Sequence, residues 1–99
     1  MVIITTVTYP PERAQEIAKR FVELPPPPDY MTRKGPYVST NVADGIYILS
    51  LYEIEKSNIA EGLEYLGNYL ANFFGVPDFK YDIKPFFDVA EALKMIGMG

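Results

Sequence analysis

The chain has 99 residues and a mass of 11.2 kDa, with 48% hydrophobic and 22% charged residues, a formal charge of -4 and a pI near 4.7. With no His and no Cys, imidazole bases, thiol nucleophiles, His-ligated haem and the usual Cys/His zinc sites are excluded. The acidic balance argues against a nucleic-acid partner, which is held by clustered Lys and Arg, and no apolar run approaches the ~18 residues that span a bilayer. Met1 to Tyr9 lacks the basic start of a signal peptide, so the expected location is the cytoplasm. About one domain fits this length, with a small core that would gain from a partner chain.

Val2 to Tyr9 reads VIITTVTY, a β-branched run that suits a pleated surface and predicts the first strand, stopped by Pro10-Pro11. Pro11 fits the first turn of a helix, and Ala14, Ile17, Ala18, Phe21 and Leu24 recur at helical spacing while Glu12, Arg13, Glu16, Lys19, Arg20 and Glu23 fill the other face. Pro25 to Pro28 cannot continue a helix or join the middle of a sheet, which predicts an extended loop over Leu24 to Lys34. Gly35 to Ala43 and Ile46 to Ile54 are strand-like runs around Asp44-Gly45, a pair favoured in two-residue hairpin turns.

Asn58 with Glu61 predicts a capping box, and Ile59, Leu63, Leu66, Leu70 and Phe73 mark the stripe of a second helix. Gly62 and Gly67 weaken that helix and are read as points of close packing. Gly75 and Pro77 end it. Phe79, Tyr81 and Ile83 alternate with Lys80, Asp82 and Lys84, as in a half-buried last strand, and Asp88 with Glu91 caps a short terminal helix carrying Val89, Ala92, Leu93 and Ile96.

The order strand, helix, strand, strand, helix, strand is the split βαβ arrangement, and right-handed crossovers put the first and third strands at the centre. Strand three, IYILSLYEI, is apolar on both faces as a central strand should be. A two-residue Asp44-Gly45 loop sets Val42 opposite Tyr47, Thr40 opposite Leu49, Val38 opposite Leu51 and Tyr37 opposite Tyr52. One face then carries Val38, Thr40, Val42, Tyr47, Leu49 and Leu51, and is expected under the two long helices. The other carries Tyr37, Ser39, Asn41, Ile46, Ile48, Ser50, Tyr52 and Ile54, with Lys80, Asp82 and Lys84 from strand four. That second face is too apolar to leave in water, and a second copy of the chain is the expected cover.

In element order and face polarity, over nearly its whole length, the chain resembles the dimeric α+β barrel group of ferredoxin-like proteins. The resemblance implies one α+β domain over residues 1–99, a ferredoxin-like βαββαβ fold with a four-stranded antiparallel sheet, two long helices on one face and a short C-terminal helix. It also implies a homodimer whose sheets meet face to face around a cavity. That group holds small monooxygenases, haem-degrading enzymes, isomerase-like proteins and ligand-sensing modules, and no motif specific to one of them occurs here. The haem-degrading branch relies on a His ligand that this chain lacks.

The expected ligand is a small, partly apolar molecule between the sheet faces, lined by Tyr37, Ser39, Ser50, Tyr52 and Lys80, with no metal and no cofactor. Arg33-Lys34 could hold an anionic group near the mouth of such a cavity. Tyr65, Tyr69 and Tyr81 are read as packing residues. A serine nucleophile would need Lys, Asp or Glu as its base, and no EF-hand, GxGxxG or P-loop spacing occurs. Two alternatives stand beside ligand binding. One is a cofactor-independent oxygenase or isomerase using Tyr37, Tyr52 or Lys80/Asp82 for proton transfer; the other is a purely structural module with a filled interface.

Overall fold

The β-branched run Val2–Tyr9 forms strand β1 in the computed structural model, which describes residues 1–99. Pro11–Arg13 makes a 3-10 turn that leads into helix α1, Ala14–Val22. Ile17 is the buried residue of α1, while Glu16 and Arg20 pair across one turn at 3.0 Å. Arg20 also donates to the carbonyls of Asn72 and Phe74, at 3.0 Å each. Leu24 falls beyond the helix and packs on the core from the loop.

Strand β2 spans Met31–Asn41 and so begins inside the stretch expected to be loop. Met31 to Lys34 pair with Ile54 to Leu51, and the register breaks before Tyr37. The break has a local cause. Pro36 has no N–H to give the ladder, and Gly35 sits at φ +103°, so the strand bulges where the sequence reads as a strand start.

Strand β3 covers Gly45–Ile54, and here the structure corrects the hairpin. The turn is Val42, Ala43 and Asp44, with Asn41 opposite Gly45, Ser39 opposite Tyr47 and Tyr37 opposite Leu49. Leu49 was expected opposite Thr40, three residues away. Because side chains alternate between faces, this odd shift of register moves residues 37–41 of β2 to the other face relative to β3. Two groups hold this longer turn. The Asn41 side-chain carbonyl accepts from the Asp44 N–H at 2.6 Å, and Gly45 takes the left-handed conformation, φ +73°.

Lys56–Asn58 forms a second 3-10 turn before helix α2, Ile59–Ala71. The expected capping box at Asn58 and Glu61 is not formed. Asn58 is already inside the turn, its N–H bonded to the Glu55 carbonyl at 2.9 Å, and its side chain makes no cap bond. Gly62 is a point of close packing, with a Cβ there meeting Ile54, Ile3 and Met31, whereas Gly67 has nothing within 4 Å. Strand β4 is Lys80–Phe86. The capping box at Asp88 and Glu91, with bonds of 2.8 and 3.0 Å, starts helix α3, Val89–Met95. Glu91 also pairs with the Met1 ammonium at 3.0 Å.

The chain is thus α+β, with a four-stranded antiparallel sheet in the order β2-β3-β1-β4 and three helices. Ile3, Thr5, Val7 and Tyr9 of β1 lie opposite Tyr52, Ser50, Ile48 and Ile46 of β3. These residues form the floor beneath α1 and α2, meeting Ile17, Leu66, Leu70 and Phe73. The face expected to be open is therefore, in β3, the covered one. The open face carries Ile4, Thr6 and Thr8 of β1, Tyr47, Leu49 and Leu51 of β3, Tyr37, Ser39 and Asn41 of β2, and Lys80, Asp82 and Lys84 of β4. No helix is long and apolar enough to cross a membrane.

Candidate functional site: a cavity under the two helices

Thr5 and Ser50 lie directly opposite each other on the two central strands, and they are the buried polar residues of the chain, each 6% exposed. Both are short side chains at the middle of the floor, where a Leu or Phe would reach the helices. Above them a cavity of about 230 Å³ remains, open on one side and bordered by Ile17, Ala18 and Phe21 of α1, Leu66, Tyr69 and Leu70 of α2, and Phe73 and Phe79 beyond it. Val7, Ile48 and Tyr52 complete the floor, and Arg33, Pro36 and Val38 of β2 form the remaining wall. The bulge in β2 matters here, because only with Arg33 opposite Tyr52 does Arg33 share the covered face.

Thirteen of the seventeen lining residues are hydrophobic, and Arg33 is the one that carries a formal charge. Its guanidinium lies 6.0 Å from the centre of the Phe21 ring. The ion pairs of the chain are Met1 with Glu91, Arg20 with Glu16 and Lys34 with Glu53, so no carboxylate pairs with Arg33. Burial raises the phenol of Tyr52 above its ordinary value, opposed by the nearby Arg33 and Ser50. The Tyr69 phenol is raised by burial and by the neighbouring Tyr52, and Tyr9 by burial. All three are neutral hydroxyls at physiological pH, suited to donating or accepting hydrogen bonds and unsuited to acting as bases. The Tyr65 hydroxyl, buried and without a hydrogen-bond partner, lies close enough to raise Tyr52 and Tyr69 further.

Of the five residues selected from sequence, the structure brings Ser50 and Tyr52 into this cavity and places Tyr37, Ser39 and Lys80 on the opposite face. Tyr37 is 61% exposed. Lys80 stands on the far edge strand, with two strands between it and Tyr37, and borders a shallower hollow with Asp44 and Asp78. The side chain of Asn41 is occupied by the turn. Among the polar lining residues, Thr5, Tyr9 and Tyr69 escaped the sequence reading of the site, and Arg33, expected near the cavity mouth beside Lys34, lines the cavity without Lys34. Tyr69 could have been found, since it follows Leu66 by three positions and precedes Phe73 by four, which puts all three on one helical stripe.

Compared with known proteins, the chain matches no protein-family model, no curated protein and no solved structure.

Proposed function

We propose that this chain is a ferredoxin-like domain of the dimeric α+β barrel kind that works as a homodimer and binds a small, partly apolar molecule. The order β2-β3-β1-β4, with each of the two long helices packed on the same face, supports the fold assignment. The observation that carries the binding reading is the cavity of about 230 Å³ with Thr5, Ser50, Tyr52, Tyr69 and Arg33 in an otherwise apolar lining. A few convergent polar groups in an apolar hollow are what a small-molecule site needs. The ligand in this reading sits under the helices and not between the sheets.

The enzyme alternative is less well supported. Its proton-transfer groups, Tyr37, Tyr52, Lys80 and Asp82, are divided between the two faces, and the cavity lining holds no Asp, Glu, Lys or His. The purely structural alternative leaves the cavity without a purpose.

Support for the homodimer comes from the open face, where Ile4, Tyr47, Leu49 and Leu51 lie on the side of the sheet away from α1 and α2, and from exposed Phe86, Phe87, Ile96 and Met98 near the C-terminus. Native mass spectrometry of the purified protein tests both parts together. A mass of two chains with a retained small molecule is expected, and the adduct should be lost in Ala18→Trp, where a large ring at an exposed lining position closes the mouth. A single-chain mass without adduct, the same in both proteins, would contradict the proposal.

A further inference from the structure

Taking the cavity as the ligand site, we infer that its ligand is a compact monoanion, an apolar body of about one ring bearing a single carboxylate held by Arg33. The first ground is charge. Arg33 is the lone cation of the lining, no acidic residue shares the cavity, and the ion pairs of the chain leave Arg33 without a carboxylate. The strand itself arranges this. Neighbouring residues of β2 point to opposite faces, and Lys34, on the open face, takes Glu53 for itself. Arg33 is left at the edge of an apolar hollow, its guanidinium near the Phe21 ring and beside the hydroxyls of Tyr52 and Tyr69. A carboxylate can take two parallel N–H bonds from a guanidinium, with neutral phenols as further donors.

The second ground is size and the third is charge number. A volume of about 230 Å³ falls below the roughly 300 Å³ at which sites for drug-sized molecules begin, which suits a compact body of about one ring better than a long chain. A phosphate dianion would bring two charges to one cation, and an uncompensated charge in apolar surroundings is costly. A ligand cation would face Arg33 directly.

The test is calorimetric or NMR titration with benzoate, phenyl phosphate and the neutral benzyl alcohol, on the wild-type protein and on Arg33→Met, Lys34→Met and Ala18→Trp. Benzoate is expected to bind the wild type about ten- to a hundred-fold more tightly than benzyl alcohol, the range of a charge-assisted hydrogen bond, and more tightly than phenyl phosphate. Arg33→Met should remove that advantage while leaving benzyl alcohol within about two-fold, and Lys34→Met should change neither. Benzyl alcohol binding that Ala18→Trp abolishes, without a preference for benzoate or with equal losses in Arg33→Met and Lys34→Met, would overturn the carboxylate inference and leave the cavity as a neutral site. Phenyl phosphate binding as tightly as benzoate would overturn the monoanion. Failure of every probe to bind the wild type would overturn the cavity reading as well.

Discussion

The side-chain oxygen of Asn41 accepts a hydrogen bond from the backbone N–H of Asp44 at 2.6 Å, and this contact closes the turn that sets the register of β2 against β3. The residue that follows, Gly45, holds φ +73°, and a Cβ on it would stand 2.7 Å from the Tyr9 carbonyl oxygen. Gly45→Ala is therefore expected to destabilise the fold by about 1–3 kcal/mol, through a left-handed backbone and a clash with the neighbouring strand. A urea titration should show a lower midpoint with an unchanged slope. A midpoint equal to the wild type would contradict the turn geometry.

That turn also explains how much could be read in advance. The order of elements, the bounds of β1, the central place of strand three and the capped terminal helix all follow from local patterns: β-branched runs, two-faced apolarity, and Asp88 spaced three residues from Glu91. The face assignment does not. Asp44-Gly45 supplies the sharp turn of a two-residue loop and equally of the observed three-residue one, and the choice rests on the Asn41 side chain, which closes the longer turn on the Asp44 N–H. The bulge at Gly35-Pro36 then decides that Arg33 shares a face with Tyr52; the Gly-Pro pair marks a break in the strand, but not which residues pair on either side of it. One cue was present. Ile46, Ile48, Tyr52 and Ile54 are the most apolar set of β3, and burying that set under two amphipathic helices is the cheaper arrangement. The cavity depends on the small size of Thr5 and Ser50 meeting across two strands, which is visible only once the register is known.

The two glycines of α2 should respond in opposite directions to the same change. Gly67 has open space around it, so Gly67→Ala is expected to raise stability by about 0.5–1 kcal/mol through helix propensity. At Gly62 a Cβ would collide with Ile54 and come within 3.2 Å of Ile3 and 3.3 Å of Met31, in a part of the core where Ile3 is fully buried. Gly62→Ala is expected to cost about 1–3 kcal/mol. Thermal melts of the two variants should therefore move to either side of the wild type, and a gain in both would mean that the core above Ile3 is loosely packed.

The buried phenols give stability a direction at alkaline pH. Burial raises Tyr9, Tyr52 and Tyr69 above their ordinary value, whereas the same groups ionise near pH ~10 in the unfolded chain. Above that pH the folded state holds more protons than the unfolded one, so stability is fully present below about pH 10 and falls as pH rises through the folded values. Lys34, raised by its hydrogen bond to Glu53, adds a slope of the same sign. Urea midpoints from pH 8 to 11 should decline, and less steeply in Tyr52→Phe; a flat profile would contradict the burial of these hydroxyls.

Dimerisation, if it uses the open face, depends on Leu49 and not on Ile48, which lies under the helices. Leu49→Lys puts a charge at the middle of that face, opposite Thr6 on one side and Tyr37 on the other. Sedimentation at micromolar concentration is expected to show two chains for the wild type and one for Leu49→Lys, with the melting temperature of the monomer still cooperative. A dimer that survives the substitution would place the interface elsewhere.

The location of the ligand site is tested most directly by intermolecular NOEs from benzyl alcohol, a neutral probe that needs no ion pair. Contacts from its ring protons to the methyls of Val7, Ile48 and Leu70, which border the cavity, are expected. Contacts confined to Ile4, Leu49 and Leu51 on the open face would contradict a site beneath the helices.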